Sequence, residues 1–135
     1  MAIRLDTATR NARNDAITAQ VNGGAPPATL EIRTGAPPTN LTDPDSGTLL
    51  ALCTFGNPPF AASAGGVLQE NAITGDPSAD ASGTPGHFRA KQGGTGTVKI
   101  QGTCAVGSGD LNFGSAISLG GAVSVSDFAI TDGNQ

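Results

Sequence analysis

Apolar and polar residues alternate in several short stretches of the chain, and each alternation predicts an element. Ala28, Leu30 and Ile32 interleave with Thr29, Glu31 and Arg33, a period of two that sets the aliphatics on one face of a strand and the charged pair on the other. Thr48 to Phe55 is apolar on both parities, with Leu49, Ala51, Cys53 and Phe55 against Leu50 and Leu52, which predicts a central strand or one lying under a helix. The clearest hairpin comes later. Phe88 and Ala90 oppose His87, Arg89 and Lys91, Gln92 to Gly96 supplies a glycine-rich turn, and Val98 and Ile100 then alternate with Thr97, Lys99 and Gln101. Cys104 and Val106 continue that apolar parity. Val67 to Thr74, Leu111 with Phe113, and Ile117 with Leu119 are weaker signals. In the closing run Val123 and Val125 share one parity and Phe128 and Ile130 the other, so a bulge near Ser126-Asp127 is expected to restore a common face.

A period near 3.6 occurs once, from about Asp6 to Val21. Asp6 or Thr7 can cap this helix, Ala8, Ala12, Ala16 and Ala19 form a stripe with Ile17 and Val21 alongside, and Gly23-Gly24 stops it. An alanine stripe permits close approach but buries little area, so the helix is expected to dock on a sheet or on another subunit. One leading helix and seven to nine short strands punctuated by Gly and Pro predict a mainly β fold, an antiparallel β-sandwich or jelly-roll-like barrel. The division is residues 1–25, an N-terminal arm and helix, and residues 26–135, the β-domain, within a single folded unit from Pro26 onward.

Composition qualifies this picture. Of 135 residues, 64 are Gly, Ala, Thr or Ser, and Val, Leu, Ile and Phe contribute only 27. That apolar share borders on the disordered class. Only 13% of residues are charged and the formal net charge is -4, which lacks the self-repulsion of disordered chains and leaves a folded domain with a thin core. Counting Met1, 28 large apolar side chains must offset backbone ordering of about 1–2 kcal/mol per residue. Burial against neighbouring subunits would therefore add usefully to stability. No apolar run reaches the roughly 18 residues of a membrane span, and no signal-peptide pattern opens the chain. The expectation is synthesis in the host cytoplasm with no membrane partner. Nucleic acid is excluded as a direct partner, because phosphate contacts need clustered cations and the chain is acidic.

The motifs carry no recognisable chemistry. Cys53 and Cys104 fall on apolar strand parities and read as thiols packed in a core. One His and no C-x-x-C exclude a conventional zinc site. His87 lies on a polar strand parity beside Arg89, where a solvated or interface residue is expected and no Ser-His-Asp triad is assembled. Asp43-Pro44-Asp45-Ser46-Gly47 is turn chemistry lacking the later acidic positions of a calcium loop. Gly93-Gly94-Thr95-Gly96 leads into a strand, so it cannot cradle phosphate at a helix N-terminus. No catalytic residue, cofactor or metal is expected, and the chain is read as a non-enzyme. Charge is more informative: the seven basic residues form two groups, Arg4, Arg10, Arg13 and Arg33, then Arg89, Lys91 and Lys99. Each group is either a solvated face or a local positive surface for an acidic protein partner.

Several segments resemble a known group of proteins. Thr29 to Gly35 (TLEIRTG), Gly47 to Leu52 (GTLLAL), Gly86 to Ala90 (GHFRA), Gly109 to Phe113 (GDLNF) and the closing run Val123 to Thr131 resemble small β-rich virion proteins of tailed bacteriophages, of the capsid decoration, or cement, type. That resemblance implies a structural protein on the outer surface of an icosahedral head, stabilising contacts between major capsid subunits. The partners it implies are the major capsid protein and copies of the chain itself, with a homotrimer at local threefold axes the first expectation. Contact is expected through Arg4, Arg10, Arg13 and Ile17, together with the Arg89, Lys91 and Lys99 face. A tail or head-to-tail connector protein is the alternative. A host-receptor or glycan-binding module ranks below both, because the chain has no Trp or Tyr and five Phe for sugar stacking.

Overall fold

The computed structural model describes residues 3–23 and 27–132. Met1, Gly24 and Pro26 lie outside the described residues. Helix α1 spans Thr7–Val21 and is followed by seven strands among the described residues: β1 Thr29–Arg33, β2 Leu49–Thr54, β3 Val67–Leu68, β4 His87–Lys91, β5 Val98–Val106, β6 Leu111–Phe113 and β7 Ile130–Thr131. The fold is mainly strands with one helix. Five strands form one sheet in the order β2-β1-β4-β5-β6, and β3 pairs with β7 in a two-stranded ribbon.

The sheet is mixed and curls into a half-barrel, which corrects the expectation of purely antiparallel pairing. β1, β2, β4 and β5 pair antiparallel, but β6 runs parallel to β5 from Cys104↔Leu111 to Val106↔Phe113. The chain reverses twice between them. Gly107 and Gly109 adopt φ of 79° and 88°, a region closed to most residues with a Cβ. Asp110 then anchors the second reversal by accepting from the Thr103 N–H and hydroxyl, both at 2.8 Å.

β2 is an edge strand and not the predicted central one. Its open side is covered by chain instead: Thr54 and Thr74 exchange backbone hydrogen bonds, the Leu50 carbonyl accepts from Asp80, and the Leu52 N–H donates to Asp76 Oδ2 at 2.9 Å. Covering loops of this kind protect an edge from unwanted pairing. The final run forms a ladder only at Ile130–Thr131, while Val123 bridges Asp76. Its parity conflict is thus relieved by leaving the ladder, where a bulged strand was expected. Ile117 likewise forms a single bridge, to Gly83.

Aromatic residues close the core. The Phe128 ring lies 5.5 Å from Phe55, 5.9 Å from Phe60 and 5.2 Å from Phe88, meeting Phe55 and Phe88 edge-on, a favourable arrangement of ring quadrupoles. Leu30, Ile32, Leu50 and Leu68 fill the remaining volume and are fully buried.

α1 is capped by Asp6, whose carboxylate accepts from the Thr9 N–H at 2.7 Å. The alanine stripe does not dock: Ala8, Ala12, Ala16 and Ala19 are all exposed. Packing falls to Asn11, Asn14 and Val21. Asn14 Nδ2 donates to the Gly66 carbonyl at 2.9 Å, and Asn11 Oδ1 accepts from the Gly66 N–H at 2.8 Å. Asp15 accepts from the Ser63 N–H at 2.8 Å. The helix therefore grips the turn before β3 with side-chain amides, which satisfies backbone groups that no ladder reaches.

Candidate functional site

Two groups of charged residues take form in the folded chain, and they divide the predicted contact residues between them. The first lies on the polar face of β1 and β4. Register sets Glu31 opposite Arg89 and Arg33 opposite His87, so the alternation seen in each strand becomes a patch of mixed sign. The loop from Gly35 to Gly47 folds over that patch and brings Asp45 into it. Asp45 Oδ1 meets Arg89 Nη1 at 2.6 Å, while Oδ2 meets Lys91 Nζ at 2.6 Å and Arg33 Nη2 at 3.2 Å. Glu31 completes the network, 2.8 Å from Lys91 Nζ and 2.7 Å from Arg33 Nε. Arg89 also donates to the Leu41 and Asp43 carbonyls at 2.7 and 3.1 Å.

This arrangement corrects the solvated reading of the hairpin face. His87 is fully buried and Arg89 is 1% exposed. The covering loop shields both from water, and a charge placed there must be paired to be tolerated. Burial alone would raise the Asp45 pKa, but hydrogen bonds from Lys91 and Arg89, with the Arg33 charge, outweigh it and hold the carboxyl below its ordinary range. Arg89 and Lys91 are thereby turned inward. Asp45 was missed as a partner because its segment has turn composition. The available signal was the excess of cations on β4 facing a loop that carries two acids.

His87 Nδ1 lies 2.9 Å from the Gly35 carbonyl. A carbonyl only accepts, so Nδ1 carries the proton and Nε2 of the neutral ring is left as an acceptor. Nε2 is buried without a hydrogen-bond partner, as are Arg89 Nε and Gln101 Oε1. Among the described residues no carboxylate hydrogen-bonds to His87, and no group of three His, Cys, Asp or Glu could hold a metal ion. Cys53 and Cys104 are both buried free thiols. Burial, with the nearby Asp110 charge, pushes Cys104 up to about 12.

The second group is a surface groove of about 270 Å³ between α1 and β5, lined by Arg13, Ala16, Ile17, Gln20, Val21 and Lys99. It unites three contact residues predicted from distant parts of the chain: Arg13, Ile17 and Lys99. Arg13 is 59% exposed at its side chain despite a 3.1 Å ion pair with Asp132. Lys99 donates to Gln20 Oε1 at 3.3 Å, which ties the strand to the helix. Ile17 supplies a half-buried aliphatic floor, and Ala16 is exposed at its side. The remaining predicted residues stand apart. Arg4 is exposed on the arm before the helix, and Arg10 is half-buried, directed at the Asp132 carbonyl and the Thr7 hydroxyl.

The groove can hold an aliphatic side chain between two cations, which suits a protein surface carrying acids around an apolar knob. No helix among the described residues is long and apolar enough to cross a membrane. No known protein family, curated protein or solved structure matches this chain.

Proposed function

We propose that this chain is a structural virion protein of the capsid decoration type, binding the outer surface of an icosahedral phage head and fastening neighbouring major capsid subunits. The observation that carries the reading is the groove in which Arg13 and Lys99 flank Ile17 and Ala16. Its cations are presented outward, whereas those of the β4 face are turned inward by Asp45 and Glu31. The likeness of the strand segments to phage virion proteins supports the same reading. The role is adhesive, with no bond made or broken. In this reading the half-barrel is an incomplete jelly-roll-like barrel, open between β5 and β7.

The test is binding to heads assembled without the chain. Ala16→Glu combined with Lys99→Glu places two carboxylates in the groove, and like charges brought together at an interface cost several kcal/mol. Occupancy should fall by about a hundredfold, equivalent to about 2.7 kcal/mol, with the circular dichroism spectrum unchanged. Undiminished occupancy by the variant would refute the assignment. Imaging of saturated heads should show many copies spread over the shell, and a single ring at one vertex would instead mark a tail or connector protein.

A further inference from the structure

The half-barrel leaves one side of β5 open, and the opening is shaped for an extended segment. Along β5 the Cys104 N–H donates to the Gly86 carbonyl at 2.9 Å. In an antiparallel ladder alternate residues face opposite sides, so Gly102 and Ile100 also turn their backbone groups toward β4, and Gln101 and Thr103 turn theirs outward. Thr103 is satisfied by Asp110. β6 begins pairing only at Cys104, so no neighbouring strand covers the outward edge of Gln101. Across the gap, residues 124–129 also form no ladder.

Between these edges lies a groove of about 510 Å³ with Phe88, Ile100, Leu111, Phe128 and Ile130 along its walls. Gly102 stands at its centre. A Cβ there would fall 2.6 Å from the Phe88 ring, and a bare strand position of this kind lets another backbone approach closely. Asp110 and Asp127 also line the groove, and Asp127 has no ion-pair partner among the described residues.

The complementary pattern is present in the chain itself. Ile3, Arg4 and Leu5 alternate aliphatic, basic and aliphatic side chains just before α1. Ile3 is 72% exposed, and Arg4 is exposed and has no ion-pair partner among the described residues. We infer that the arm around Arg4 of one copy enters the β5–β7 groove of a second copy, adding a strand along Gln101, seating its aliphatics on the phenylalanine wall and pairing Arg4 with Asp127. Strand addition of this kind draws affinity from main-chain hydrogen bonds and specificity from alternate side chains. The contact is heterologous, arm to groove, and closes into a ring when the rotation between copies permits.

This inference does not depend on the capsid, so the isolated full chain tests it. Sedimentation velocity over a range of concentrations should show reversible self-association, with protection of the Gln101 amide from hydrogen exchange in the associated form. Arg4→Glu and Asp127→Arg should each weaken association at least tenfold. An equimolar mixture of the two variants should recover it, because the reversed charges meet between chains. A wild-type chain that stays monomeric at all concentrations would overturn the inference. So would a mixture that fails to recover association, or a loss of thermal stability in dilute Arg4→Glu without any change in association, which would place the arm in its own groove.

Discussion

Asp45 is the single side chain on which the covered face depends, and its removal has a calculable effect. Its two oxygens contact Arg89, Lys91 and Arg33. In Asp45→Ala, Lys91 and Arg33 keep Glu31, but Arg89 retains only the Leu41 and Asp43 carbonyls as acceptors at 1% exposure. Removing one member of a buried pair costs about 3–5 kcal/mol. The low end applies here, about 3 kcal/mol, because two carbonyls still accept from Arg89 and Asp45 is itself 30% exposed. For a chain of this length that corresponds to a fall of roughly 10 °C in melting temperature. The assay is urea unfolding of wild type and variant across acid pH. The Asp45 carboxyl has a folded pKa below its unfolded value, so its stabilisation is fully present above about pH 4 and is lost as pH falls through the folded value. The stability gap should therefore narrow below about pH 4. A variant within about 1 kcal/mol of wild type at neutral pH would refute the reasoning, since surface ion pairs contribute no more than that. A gap that stays constant down to about pH 2 would do the same.

Two further outcomes follow from burial and close approach. Cys104, raised to about 12 by burial and the Asp110 charge, and Cys53, raised mainly by burial, should not react with a thiol reagent at mildly alkaline pH. Both should titrate once the chain is denatured, and rapid labelling of the folded chain would contradict the packing. Gly86→Ala should lower stability by at least about 3 kcal/mol, because its Cβ would overlap the backbone of Gly35, which is held in place through the Gly35 carbonyl and His87. Gly114→Ala, which meets nothing within 4 Å, is the control and should leave the urea midpoint unchanged.

Period-two patterning alone determined β1, the β4–β5 hairpin and the polar parity of His87, Arg89 and Lys91, because alternation is written into neighbouring residues. The helix and its cap were legible for the same local reason. Tertiary structure decided what each face meets. A polar strand face reads identically whether water or a loop lies over it, and Asp45 reaches Arg89 from 44 positions away. α1 docks through Asn11 and Asn14 because the turn at Ser63 to Gly66 presents backbone groups needing partners, a demand that no hydrophobic periodicity in the helix records. The parallel placement of β6 and the edge position of β2 depend on loops, and the meeting of Arg13 and Ile17 with Lys99 depends on how α1 lies against β5. Distance along the chain hides such meetings, since they are selected by the summed fit of the whole core and not by any segment's own preference.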